Sequence, residues 1–125
     1  MTLRSHMSQG ATVLIVDDDR DVLDTMREIL ESEGHRILCA ANGRDALALT
    51  WRERPDLVLL DLEMPVMDGR TYLDEVRRTP ELAAVVVVVL SGAEDADDLG
   101  AESVKKPLRL DTLLGLIDRV GHAAV

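Results

Sequence analysis

Aromatic residues are nearly absent. Trp51 and Tyr72 are the only two, and there is no phenylalanine. The interior must therefore be aliphatic. A single cysteine, Cys39, excludes an internal disulfide framework. It lies in an apolar stretch, where a small buried hydrophobe is expected rather than a reactive thiol. The three histidines, His6, His35 and His122, are scattered without ligand spacing, which excludes the usual zinc patterns. No apolar run approaches the length that spans a bilayer, and the start carries no signal-peptide pattern. A soluble, cytoplasmic protein is expected. Positive charge is also short: 14 Lys and Arg stand against 24 Asp and Glu, a net charge of −10. That argues against direct binding to nucleic acid, which draws on basic residues. It suits a site for a cation or a partner with a basic surface.

What is present is enough for one domain. The chain has 125 residues, 46% of them hydrophobic, so it should bury a sizeable core and fold. Residues 1–11 show no periodicity, and Ser5-His6-Met7 resembles a vector-derived junction. They are expected to be a disordered tail or a cloning remnant, with the domain at 12–123. Val13 to Val16 is an apolar run followed by Asp17, Asp18 and Asp19. Val22, Leu23, Met26, Ile29 and Leu30 then recur at helical spacing, predicting a helix from about Asp19 to Ser32. His35 to Ala40 is the next strand, and Asn42-Gly43 reads as a turn. A helix led by Ala46 and Leu47 ends before Pro55. Leu57 to Leu60 is a short apolar run that closes on Asp61. A helix follows from about Asp68 to Arg78, and Thr79-Pro80 breaks it. Ala83 to Leu90 holds five consecutive valines and reads as the most deeply buried strand. Ala93 to Gly100 is acidic and weakly periodic. Ala101 to Lys105 is a last short strand, and a helix from about Leu110 to Val120 closes the chain. Strand and helix alternate with short links. That predicts an α/β fold, a doubly wound parallel sheet of five strands with helices on both faces.

The stretch Asp-Leu-Val-Leu-Leu-Asp-Leu-Glu-Met-Pro-Val-Met-Asp-Gly, from Asp56 to Gly69, organises the chemistry. In an open parallel sheet, ligands sit beyond the carboxyl ends of the strands. Asp61 would stand at that edge, ahead of a loop that Pro65 and Gly69 hold out of regular structure. The other strands also end in polar residues: Asp17 and Asp18, Ser91, and Lys106. Crowded carboxylates repel one another and call for a divalent cation. Magnesium suits hard oxygen ligands and keeps positions open for phosphate oxygens. A lysine supplies positive charge for a phosphoryl oxygen, and a serine hydroxyl can donate to another. Asp61 could then attack phosphorus and carry an acyl phosphate.

These motifs resemble the receiver domain of bacterial two-component response regulators over about residues 12–121. Val-Leu-Ile-Val-Asp-Asp-Asp resembles the first strand and acidic pair of that family. Leu-Leu-Asp-Leu-Glu-Met-Pro-Val-Met-Asp-Gly resembles its phosphorylation segment and is the most specific of the matches. Val-Val-Leu-Ser-Gly and Lys-Lys-Pro-Leu resemble the later strand ends. The resemblance implies a flavodoxin-like fold and a phosphoprotein that accepts a phosphoryl group from a sensor histidine kinase or a phosphotransfer protein. It implies Asp61 as phosphoacceptor and Asp17 and Asp18 as holders of Mg2+, or another small divalent cation, with Asp61 and the main-chain carbonyl of Glu63. Ser91 takes the hydroxyl role, and Lys106, which precedes the proline, takes the lysine role. Asp19 reads better as a helix cap. The expected protein is a signalling switch rather than an enzyme. Its output partner is unspecified, and a homodimer is compatible with the family.

Two departures stand out. From Ser91 to Lys106 is a step of 15 residues, shorter than the usual receiver spacing by roughly seven, or about 10 Å of helix. A shortened or missing fourth helix is expected there. Ser103 stands where many receivers place an aromatic or histidine that swings on phosphorylation. Both changes point to an atypical output face. Two rivals compete with this reading. Asp17, Asp19 and Asp21 superficially resemble the acidic motif of haloacid-dehalogenase-type phosphatases, but that scheme leaves Met-Pro-Val-Met-Asp-Gly unexplained. The other rival is a degenerate receiver used only as a docking module, against which the full polar set argues.

Overall fold

The computed structural model of the chain describes residues 10–62, 68–91, 102–105 and 110–124. The elements are β1 Thr12–Val16, α1 Arg20–Ser32, β2 Arg36–Ala40, α2 Gly43–Glu53, β3 Leu57–Asp61, α3 Gly69–Arg78, β4 Val86–Ser91, β5 Glu102–Lys105 and α4 Leu110–Ala124. A 3-10 turn at Pro80–Leu82 separates α3 from β4. The strands form one parallel sheet in the order β2-β1-β3-β4-β5. Among the described residues no helix is long and apolar enough to cross a membrane.

Two aliphatic layers sandwich the sheet, as its alternating side chains require. Leu14, Val16, Val58, Leu60 and Val89 face one side and pack with Ala46 of α2 and Tyr72, Leu73 and Val76 of α3. Val13, Ile15, Leu57, Leu59, Val88 and Leu90 face the other and pack with Leu23 and Leu30 of α1 and Leu113, Leu116 and Ile117 of α4. β3 is buried along its whole length. Each such aliphatic side chain contributes roughly 1.5–3 kcal/mol relative to exposure, so the middle strand fixes the sheet.

Caps set the helix starts. The Asp19 carboxylate accepts from the N–H groups of Asp21 and Val22 and begins α1. Asn42 accepts from the Asp45 N–H at 2.8 Å and begins α2. Asn42-Gly43 is therefore a helix start rather than the expected turn, because an asparagine side chain serves either purpose. At the far end of α2, Arg54 adopts a left-handed conformation, φ 48°. Its guanidinium donates to the carbonyls of Trp51 and Glu81 and stacks on the half-exposed Trp51 ring. These contacts tie the end of α2 to the turn before β4.

Further expectations from the sequence need correction. The valine run is not the most deeply buried strand. β4 begins at Val86, which is 41% exposed, and Val87 is only half-buried. Among the described residues β5 pairs with β4 only from Val88 onward, so Val86 and Val87 have no strand partner there on that side. Cys39 is half-buried rather than buried, because β2 is an edge strand. Ala11, placed in the tail by the sequence, is buried in the domain. Its N–H donates to His35 Nδ1 at 3.1 Å, and its carbonyl accepts from the Arg36 N–H at 3.0 Å. The expected shortening of the helix between β4 and β5 lies outside the described residues, as does the tail at residues 1–9.

Candidate functional site

The strand order reverses at β1, which has β2 on one side and β3 on the other. Crossover connections leave this switch point in opposite directions, opening a crevice at the carboxyl ends of β1 and β3. Both strands turn acidic at this point. Val16 pairs with Leu60, so Asp17 and Asp61 follow at the same level of the sheet. Asp61 in turn pairs with Leu90, which puts Ser91, the last residue of β4, one step beyond. Ser91 is paired with Lys105 of β5. Of the candidates from the sequence, Glu63 and Lys106 lie outside the described residues.

Three carboxylates converge there. One oxygen from each of Asp17, Asp18 and Asp61 can be chosen so that all lie within 4.8 Å of one another. Asp17 and Asp61 are buried, while Asp18 is exposed. Like charges this close repel one another, which costs some stability. The fold accepts that cost because the surrounding main chain holds the residues there. The Asp17 N–H donates to the Ala40 carbonyl at 3.1 Å, and Asp17 Oδ1 accepts from the Asp19 N–H at 2.9 Å. Asp19 itself is engaged in capping α1, so the third acid of the Asp-Asp-Asp run belongs to the helix. The donor set, three carboxylates with one side open to solvent, fits a small hard cation.

β3 is followed closely by α3. The Gly69 N–H donates to the Leu62 carbonyl at 3.0 Å, and the Asp68 carboxylate accepts from the Thr71 N–H at 2.9 Å. That bond to the Thr71 N–H, helped by the Thr71 hydroxyl and by Arg70, holds the Asp68 carboxyl below the usual aspartate value. Gly69 is the first residue of α3 and is buried, so it does not hold a loop open as its sequence context suggested. One turn later, Tyr72 anchors the helix in the core. Its phenol lies 2.7 Å from Thr50 Oγ1 of α2, and Thr50 donates to the Ala46 carbonyl. Either hydroxyl can be the donor in their shared bond. Burial pushes the phenol up to about 12, against the opposing pull of the Thr50 bond. No sequence pattern signalled this pairing, since the two residues are 22 positions apart.

Comparison with known proteins agrees with this arrangement. The family model described as the response regulator receiver domain matches residues 13–118. Protein PilH of Pseudomonas aeruginosa is 33% identical over 117 residues, covering 88% of this chain and 97% of that protein. A response regulator receiver protein of Anaeromyxobacter is 42% identical over 83 residues, which cover 66% of this chain and only 35% of that longer relative. Among solved structures, the chemotaxis protein CheY4 of Vibrio cholerae is 30% identical with a TM-score of 0.78, covering 89% of this chain and 98% of that one. The signal receiver domain of a Syntrophus aciditrophicus histidine kinase is 28% identical with a TM-score of 0.83, covering 90% and 91%.

Proposed function

The chain belongs to the response regulator receiver family, and on that premise we propose that Asp61 accepts a phosphoryl group from a sensor histidine kinase or phosphotransfer protein. The observation that carries this reading is the meeting of Asp17, Asp18 and Asp61 at the switch point of the sheet. A carboxylate oxygen of Asp61 attacks phosphorus. The bond to the donor imidazole breaks, and that nitrogen leaves with the electron pair and takes up a proton. The product is an aspartyl phosphate. Asp17 and Asp18, with Asp61 and the main-chain carbonyl of Glu63, would hold Mg2+. When bound, Mg2+ neutralises phosphoryl oxygens. Ser91, the last residue of β4, would supply a hydroxyl, and Lys106, next in sequence after β5, an ammonium for phosphoryl oxygens. Burial of Asp61 orients the nucleophile and limits the approach of water.

The output face is atypical in this reading. Ser103 sits opposite Val89 on the edge strand β5, and it offers no ring to swing. The short step from Ser91 to Lys106 leaves less chain for the usual helix on that side. Output then passes to another protein, or to a second copy, through a remodelled surface in the cytoplasm. The net charge of −10 supports a protein partner rather than nucleic acid.

Stoichiometry separates this from the rival readings. With a phosphorylated donor and Mg2+, the chain should take up one phosphoryl group and release inorganic phosphate only slowly. Sustained turnover of p-nitrophenyl phosphate would favour a phosphatase. No uptake from any donor would leave a docking module.

A further inference from the structure

Gly69 is required for a reason other than backbone freedom. It begins α3, where alanine would ordinarily be the better helix former. A Cβ built on it would lie 2.5 Å from the Asp61 carbonyl oxygen, 2.7 Å from Leu62 Cα and 3.2 Å from the Asp61 carbonyl carbon. Every one of these neighbours is main chain of the acidic strand end, so none can swing aside as a flexible side chain could. In the same place the Gly69 N–H donates to the Leu62 carbonyl. By contrast, a Cβ on Gly115 in α4 would meet nothing within 4 Å.

We infer that Gly69 is a positioning residue for the carboxylate site: its bare Cα lets α3 press on the main chain of Asp61 and fixes where that carboxylate sits. The inference rests on the phosphoacceptor reading and adds a residue to it. Any side chain at 69 must push α3 outward or rotate the Asp61 peptide. Either movement re-aims the Asp61 carboxylate relative to Asp17 and Asp18. A displacement near 1 Å is enough to cost about 100-fold in rate.

The test compares wild type, Gly69→Ala and Leu30→Ala, measured below their unfolding midpoints. Leu30 is a fully buried core residue in the last turns of α1, the helix end that leads away from the acidic strand ends. Mg2+ affinity is read by calorimetry, and phosphorylation by acetyl phosphate is followed over a range of donor concentrations. Gly69→Ala should weaken Mg2+ binding several-fold and lower the saturated phosphorylation rate about 10- to 100-fold. Its half-saturating donor concentration should change little. Leu30→Ala should melt earlier yet keep wild-type affinity and rate. Equal values for Gly69→Ala and wild type, or equal losses in both variants, would overturn the inference. If Gly69→Ala does not fold, wild-type NMR decides: the Gly69 amide resonance should move on adding Mg2+ while that of Gly115 stays, and an unmoved Gly69 would overturn it. A wild type that neither binds Mg2+ nor gains a phosphoryl group would defeat the functional reading itself. A competent wild type beside an unchanged variant would defeat only the role of Gly69.

Discussion

An aspartate marks each end of β3. At the amino end, Asp56 is engaged in the fold: its carboxylate accepts from the Thr12 N–H at 2.9 Å, and its own N–H donates to the Thr12 carbonyl at 2.8 Å. It ties the start of β3 to the start of β1. At the carboxyl end, Asp61 is buried and lies among two other carboxylates. The same side chain on the same strand thus satisfies a backbone donor at one end and adds to like charge at the other. Fold stability alone explains the first arrangement. The second accepts electrostatic cost, and such cost tends to be found where a site must bind or react.

The largest effect expected from this contrast is on metal binding. Asp18→Asn should lower Mg2+ affinity by at least about 10- to 100-fold, a loss that removal of a supporting partner alone can cause. In metal-free buffer the same variant should melt no lower than wild type, because one repulsive partner is gone. Calorimetry and a thermal melt check both. A fall in metal-free stability would mean that Asp18 belongs to the fold, as Asp56 does.

An alkaline transition sharpens the comparison from the helical side. The Tyr72 phenol is raised to about 12 in the folded chain, whereas an unfolded tyrosine titrates near 10. The folded state therefore holds the proton more tightly. Its contribution to stability is complete below about pH 10 and is lost as pH rises toward about 12. At about 1.4 kcal/mol per unit, roughly 2–3 kcal/mol disappears across that window. Urea melts at pH 8 and pH 11.5 should show the loss in wild type and a smaller one in Tyr72→Phe. This would place the Thr50–Tyr72 pair with Asp56, among polar groups that serve the fold.

Asp56→Ala carries the smallest effect. Leaving the part-buried Thr12 N–H without its acceptor should cost about 1–2 kcal/mol, with phosphorylation unchanged. A phosphorylation defect matching the loss at Asp61 would erase the distinction between the two ends.

Much of this was legible from local pattern. The apolar runs at Val13–Val16 and Leu57–Leu60 announced the two strands of the switch point, and each run's acidic successor pointed to the carboxylate cluster at their ends. Alternation of strand and helix led to a parallel sheet because hydrophobic period is a local property. What stayed hidden depends on neighbours distant in sequence. Five valines cannot show that the described part of the adjoining strand begins only at Glu102, opposite Val88. Gly69 read as a loop residue because its close approach to Asp61 exists only in three dimensions. Thr50 and Tyr72 carry no mark of being partners. The third acid, Asp19, was legible as a cap because capping is local.

The central claim is that Asp61 is the group that reacts. Intact mass after incubation with acetyl phosphate tests it most directly, with and without Mg2+, for wild type and Asp61→Asn. Wild type should gain one labile phosphoryl group that needs Mg2+, and Asp61→Asn should gain none. The same gain in Asp61→Asn, or none in wild type even from a phosphorylated kinase, would contradict the account.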